Sequence, residues 1–237
     1  LGEAALCKTC REFPRLTHDY GDFVEMGLEL SCPEAAKFIL GTSEVSFLEE
    51  QVPGEGEAEY DEEAMAILKA TRQTMRQLLS DREYTVGETL AMALLYGCQA
   101  QSELDSGEIQ PFDGEAALET ARSLGKPGDF REMLDFFLGL ELLTPEWEAL
   151  LRNPQPGPWD DRTRAMARYL VDRYWLQAVS DYDLYSRVKF ILISCLLVKT
   201  LGGDLRNTAQ LWSKEIENDV NNVEAILDGA YSHPAFT

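Results

Sequence analysis

The sequence predicts a mainly α-helical protein: a multi-helix, antiparallel, bundle-like domain preceded by a small N-terminal cysteine segment that is irregular or contains a hairpin. Helix-capping residues recur before apolar segments, and towards the C-terminus apolar residues return every three or four positions. Only the region before residue 53 alternates with a period of two. These patterns divide the chain into an N-terminal segment, residues 1–52, and a helical domain, residues 60–228.

The N-terminal segment is expected to hold a small β-hairpin. The stretch DFVEMGLELS alternates apolar with polar or small residues, and its apolar members are Val24, Met26, Leu28 and Leu30. This alternation is typical of a strand with one buried face. The stretch EVSFLEEQV, residues 44–52, is a weaker second strand candidate.

A short helix is predicted next to this hairpin. In SCPEAAKFILG, Ser31 or Cys32 can cap the helix, Pro33 suits its first position, and Gly41 ends it. The following PGEGEAEYDEE, residues 53–63, has the acidic, glycine-containing composition of a linker into the helical domain.

Roughly seven helices, mostly antiparallel neighbours joined by short loops, are expected in the helical domain. Thr85 and Glu88 form a capping box before TLAMALLYGCQAQSEL, and Thr144 with Pro145 marks the start of EWEALLRN. Two further aspartates stand at predicted helix starts: Asp113 before GEAALETARSLG and Asp129 before FREMLDFFLGLELL.

The last helix, over about residues 208–228, has the clearest period. Its apolar positions advance by three, four, four, three and four, and they are Ala209, Trp212, Ile216, Val220, Val223 and Leu227. We therefore expect this helix to pack through Trp212, Ile216, Val220, Val223 and Leu227.

Composition excludes several classes of partner and setting. The 237-residue chain has 21 Lys+Arg against 42 Asp+Glu, a net charge of −21, which repels phosphate backbones and argues against a nucleic-acid partner. The longest apolar run, FILISCLLV at 190–198, is about half of the ~18–20 residues that a bilayer span needs, so it predicts a buried helix and no membrane insertion. Five cysteines, an odd number, favour a reducing, cytoplasmic setting over a disulfide framework.

Familiar catalytic motifs are missing from the sequence. There is no Gly-x-Gly-x-x-Gly, no phosphate-binding loop and no Gly-x-Ser-x-Gly, so neither a Rossmann-type cofactor site nor a serine nucleophile is indicated. The two histidines are His18, which follows the cysteine pair and is more simply structural than a ligand, and His233, in a tail where solvation is expected. Carboxylates are so abundant that no acid–base pair stands out.

The cysteines fall into two groups. Cys98 and Cys195 lie on apolar helix faces, where core packing is expected. Cys7 and Cys10, in LCKTCREFPR, can turn two thiolates to one side and share a metal or cluster. Cys32 stands at a helix N-terminus, which favours a thiolate. The spacing alone leaves both a metal site and a pair of ordinary thiols open.

Residues 6–40 resemble the flagellin lysine N-methylase family. The matching features are a cysteine before an aromatic–Pro–Arg, here Cys10 and then Phe13-Pro14-Arg15, and a later LSCPEAAK element containing Cys32. Three later stretches fall in the family's order: RYLVDRYWLQAV, VKFILISCLLVKTLGG and LWSKEIENDVNNVEAIL. Many members carry Glu-His in that last helix, whereas this chain has Glu217-Asn218.

The resemblance implies a metal or iron–sulfur cluster held by a cysteine-rich segment. Cys10 and Cys32 match the family's positions best, and Cys7 is shared by some members. Since further cysteines lie upstream in the family, the chain is expected to be a C-terminal portion, with residues 1–52 as a remnant of the cysteine-rich subdomain. The resemblance thus implies an incomplete site, no bound metal or cluster here, and exposed thiols at Cys7, Cys10 and Cys32.

The function implied by the resemblance is transfer of methyl groups from S-adenosylmethionine to lysine side chains of flagellin in bacteria. It assigns no catalytic residue and no S-adenosylmethionine-binding residue in this chain. The alternative is a non-catalytic helical protein-binding module or an inactive truncated relative. A thiol redox role for Cys7 and Cys10 is disfavoured, because no strand–Cys-x-x-Cys–helix pattern surrounds them.

Overall fold

The computed structural model describes residues 13–41, 48–50, 56–124 and 130–236. Its N-terminal part is an antiparallel hairpin of β1 (Arg15–Asp19) and β2 (Val24–Leu28), followed by helix α1 (Pro33–Gly41). In the hairpin register, Arg15 pairs with Leu28 and Asp19 with Val24.

Nine α-helices follow within the described residues, rather than the seven expected. They are α2 (Glu62–Ser80), α3 (Val86–Ser106), α4 (Gly114–Leu124), α5 (Arg131–Leu138), α6 (Pro145–Arg152), α7 (Asp161–Tyr174), α8 (Leu184–Leu201), α9 (Leu205–Trp212) and α10 (Val220–Gly229). A 3₁₀ turn, Trp175–Ser180, joins α7 to α8, and a π-helical turn, Ser213–Glu217, follows α9. The predicted mainly α fold with a small N-terminal hairpin is confirmed. In the described part of the chain, no helix has both the length and the apolar character needed to cross a membrane.

Helix α8 forms the centre of the core. It packs against α3, α7, α9 and α10. It is apolar on nearly every side, which is typical of a helix surrounded by protein. Its fully buried members include Leu184, Phe190, Cys195 and Leu197. The predicted burial of the FILISCLLV segment is therefore confirmed.

The capping residues read from the sequence mark the helix starts. Thr85 and Glu88 make both bonds of a capping box at the start of α3. The Thr144 side chain accepts the Trp147 N–H at the start of α6, and Asp113 accepts the Ala116 N–H at the start of α4. Asp129 lies outside the described residues.

The predicted strand at DFVEMGLELS is confirmed, but its partner and its buried face differ from the expectation. β2 pairs with β1 and not with EVSFLEEQV, of which residues 48–50 are not in a strand and the rest lies outside the described residues. Val24, Met26 and Leu28 face outward and are 50%, 70% and 41% exposed. The inward face instead carries Glu25, which forms a two-bond ion pair of 2.6 and 2.8 Å with Arg72 of α2.

The single helix predicted over about residues 208–228 is broken. α9 passes into the π-helical turn, and α10 starts anew because Asp219 accepts the N–H groups of Asn221 and Asn222 as an N-cap. The break changes the helical phase, so Val220 is 66% exposed where burial was expected. Ile226 is fully buried on α10 instead, while Trp212 and Ile216 are buried as predicted.

Candidate functional site

A buried polar cluster surrounds Glu217, the last residue of the π-helical turn. The Glu217 side chain has no exposed area, and one of its carboxylate oxygens lies 3.1 Å from Nη1 of Arg173. Three hydroxyl groups donate to the carboxylate: Ser213 at 2.6 Å, Tyr174 at 3.2 Å and Tyr169 at 3.2 Å. A buried charge is tolerated only when it is paired and hydrogen-bonded in this way.

The π-helical turn places two of these groups together. The Asn218 N–H bonds to the carbonyl of Ser213, five residues earlier, so the turn is one residue wider than an α-helical turn. Trp212 and Ile216 enter the apolar core, and the adjacent Ser213 and Glu217 reach the polar cluster on α7. Such wide turns are frequent at functional sites.

Burial and pairing have opposite effects on the pKa of Glu217. Burial raises the pKa of Glu217, and the Arg173 charge together with the bonds from Ser213, Tyr169 and Tyr174 opposes that rise. Burial and then the Glu217 charge raise the pKa of Tyr169 and of Tyr174. Both phenols therefore stay protonated and can act as hydrogen-bond donors.

The same cluster contacts the N-terminal segment two residues before Cys32. The Tyr169 hydroxyl accepts the N–H of Leu30 at 3.3 Å, and the amide of Gln210 on α9 donates to the Ser31 carbonyl at 2.7 Å. Leu30 and Ser31 are buried, and α1 packs on α7 and α9. The cysteine-bearing segment is thus joined to the helical body next to Glu217.

Only one of the three predicted metal ligands lies within the described residues. Cys32 is half-buried rather than exposed, and it stands immediately before α1. Cys7 and Cys10 lie outside the described residues, so their sharing of a site with Cys32 stays a prediction. Within the residues that the structure describes, no group of three or more His, Cys, Asp and Glu side chains is placed to hold a metal ion.

The two other cysteines differ from one another. Cys195 is buried as predicted, and burial raises the pKa of its thiol. Cys98 is exposed, contrary to the prediction. Its neighbour Gly97 faces α8 so closely that a β-carbon there would lie 2.4 Å from Val188, which turns Cys98 to the outer side of α3.

Both histidines have structural surroundings. His18 is half-buried on β1 opposite Glu25, and burial together with the Arg173 charge lowers its pKa, against the effect of Glu25. His233 is half-buried, and not solvated as expected, because its ring lies 4.8 Å from that of Phe136 and its Nδ1 accepts the Ala235 N–H.

An acidic groove opens where the start of α8 meets α10. Its volume is about 240 Å³, and its walls are formed by Asp181, Asp183, Ser186, Arg187, Glu224, Leu227, Asp228 and Tyr231. Arg187 pairs with Asp181 at 2.8 Å, and Asp183 accepts bonds from Ser186 and from the Tyr231 hydroxyl. Burial alone would raise the pKa of Asp183, but these bonds lower it, so Asp183 is a carboxylate at neutral pH.

Two carboxylates of the groove have no counter-ion in the described part of the chain. Glu224 and Asp228 lie one turn apart on α10, a helix without Lys or Arg, and both are exposed. With Tyr231 beside them, they suit a single organic cation such as a lysine side chain. The groove, at about 240 Å³, is smaller than the ~300–1,000 Å³ typical of pockets for whole small molecules, and we assign no part of S-adenosylmethionine to it.

The sequence did not reveal either of these arrangements. Glu217 meets partners on α7 that are 43–48 residues away in the chain, and only the i, i+4 spacing of Tyr169 and Arg173 indicated that they share a face.

Comparison with protein-family models, with curated proteins and with solved structures finds no match to this chain.

Proposed function

We propose that this protein takes part in methylating lysine side chains of flagellin, with S-adenosylmethionine as the methyl donor, in the bacterial cytoplasm. The observation that carries the proposal is the resemblance of residues 6–40 to flagellin lysine N-methylases, through Cys10, the following Phe13-Pro14-Arg15 and the element around Cys32. The mainly α architecture is compatible with it, because the proposal requires no Rossmann domain in this chain.

The chemistry asks the protein to attract a lysine and to orient its amine. A lysine that arrives as an ammonium must first pass a proton to water or to a carboxylate. Its neutral amine nitrogen then takes the methyl group from the sulfonium, which leaves as a neutral thioether, and the two reacting groups must be held in line. A net charge of −21 steers cationic side chains towards the surface. No described residue is assigned to S-adenosylmethionine or to a cluster, so this chain's part in the proposal is to receive the lysine.

The acidic groove is the place that we propose for this lysine. At roughly 4 Å, an ammonium and a carboxylate near a protein surface attract one another by about 4 kcal/mol before desolvation is subtracted. Glu224 and Asp228 offer two such contacts without giving up an existing ion pair, and the Tyr231 ring adds an aromatic surface for the lysine methylenes.

A second candidate is a non-catalytic module that binds a partner protein. The observation that favours it is the outward face of the hairpin, where Val24, Met26 and Leu28 are exposed together on one strand. Contiguous apolar surface of this kind is a frequent feature of protein–protein contacts.

Mass spectrometry of flagellin separates the two candidates. Flagellin is incubated with S-adenosylmethionine that carries a deuterated methyl group and with either this chain or a version with further N-terminal residues. Labelled methyl-lysine with either protein supports methylation, and a stable complex without label supports the binding module. If neither protein produces labelled methyl-lysine and neither forms a stable complex with flagellin, both proposals are contradicted.

A further inference from the structure

The Tyr169 hydroxyl lies at the junction between the N-terminal segment, residues 13–41, and the helical body. It accepts the Leu30 N–H at 3.3 Å and an Arg173 N–H at 2.7 Å, and it donates to Glu217 at 3.2 Å. A tyrosine hydroxyl has one proton to donate and lone pairs with which to accept. All three contacts are therefore made at once only when the proton points to Glu217.

The Glu217 carboxylate fixes the direction of this proton. A carboxylate accepts hydrogen bonds and donates none, so the Tyr169 proton must turn to it. An amide at the same place could donate to the hydroxyl instead, which would occupy the lone pair that holds the Leu30 N–H. Glu217 thus acts on the Leu30 backbone through Tyr169 without touching it.

The charge balance of Glu217 extends to the hairpin. Arg173 pairs with Glu217 and is close enough to β1 for its charge to act on His18. Removing the Glu217 charge would leave Arg173 without its buried partner beside the hairpin. The docked segment would then lose a hydrogen bond and gain an unbalanced charge at the same junction.

We infer that Glu217 is a positioning residue that keeps the segment 13–41, and with it Cys32, docked on the helical body through the Tyr169 hydroxyl. The inference does not rest on the proposed methylation, because it concerns an internal contact of the chain. Other polar contacts also join the segment to the helical body, among them Gln210 to Ser31, Arg72 to Glu25 and the Tyr60 hydroxyl to Asp22, and the Tyr169 bond is the one that Glu217 governs.

Hydrogen exchange measured by mass spectrometry tests the inference in the full chain. Three variants are compared: Glu217→Gln, Tyr169→Phe, and Tyr174→Phe as a matched control. Tyr174 also donates to Glu217 from α7, but its hydroxyl makes no hydrogen bond to the described residues of the segment. Peptides from residues 29–41 report on docking, and peptides from α8 report on the integrity of the core.

Exchange over residues 29–41 should rise about tenfold or more in Glu217→Gln and in Tyr169→Phe, and stay within about twofold in Tyr174→Phe, with α8 protected throughout. Unchanged exchange over 29–41 in the first two variants, with α8 protected, would overturn the inference. Equal acceleration in all three would also overturn it, since loss of any donor to Glu217 would then suffice. If Glu217→Gln also raises exchange in α8, the decision rests on Tyr169→Phe and Tyr174→Phe, whose exchange rates over residues 29–41 are then compared with each other.

Discussion

Glu217 illustrates at the scale of single residues which properties follow from local sequence and which do not. Its burial depends on a wide turn and on hydroxyls from another helix, and neither leaves a local pattern. Burial of Trp212 and Ile216 followed from their four-residue spacing. The same spacing wrongly predicted burial of Val220, which is exposed, because an interruption of the helix changes which side the next residues face.

The first prediction uses Ile216 and Val220 as a matched pair on either side of that interruption. Ile216 is fully buried, so Ile216→Ala should lower the free energy of unfolding by roughly 2–5 kcal/mol. Val220 is 66% exposed, so Val220→Ala should change it by no more than about 0.5 kcal/mol. Urea denaturation measures both changes, and a larger loss for Val220→Ala than for Ile216→Ala would refute the break between α9 and α10.

Elements were predictable where their boundaries depend on neighbours in the chain. The starts of α3, α4 and α6 were read correctly, since a capping residue bonds to an N–H only two or three positions later. The strand that pairs with β2 was not predicted correctly, because pairing depends on which other segment of the chain folds back against β2. The hairpin also turns Glu25 inward to Arg72, which a pattern based on apolar burial cannot anticipate.

The capping box of α3 gives a prediction about pH. Hydrogen bonds from Thr85 and Arg122 lower the pKa of Glu88 from 4.5 to about 2 in the folded protein. Because the folded pKa lies below the unfolded one, the stabilisation is present above pH 4.5 and is lost as the pH falls towards 2.

The pH prediction is checked by thermal unfolding of the protein and of Glu88→Gln between those two pH values. Over this interval, the melting temperature of the unchanged protein should fall further than that of the variant, since the variant has no carboxyl group to protonate at position 88. Parallel curves for the two proteins would show that Glu88 contributes nothing through its ionisation.

At the scale of the whole molecule, capping residues and apolar periodicity predicted the fold class and composition predicted the acidic surface, but neither could locate a site. With 42 acidic residues, the positions of Glu224 and Asp228 carry no signal in the sequence. They become distinctive only when folding brings α10 beside the start of α8 and leaves both without a counter-ion in the described part of the chain.

The most direct test of the proposed function compares the methyl-lysine formed on flagellin by the unchanged protein and two double variants. Glu224→Gln/Asp228→Asn neutralises the groove, and Glu115→Gln/Glu119→Gln neutralises an equally spaced, exposed pair on α4. We predict methyl-lysine with the unchanged protein, a loss of about tenfold with the groove variant, and a change within about twofold with the α4 variant. The three proteins are made both as this chain and with further N-terminal residues. Equal methylation by all three in either version, or no methylation by any of them in both versions, would contradict the proposal.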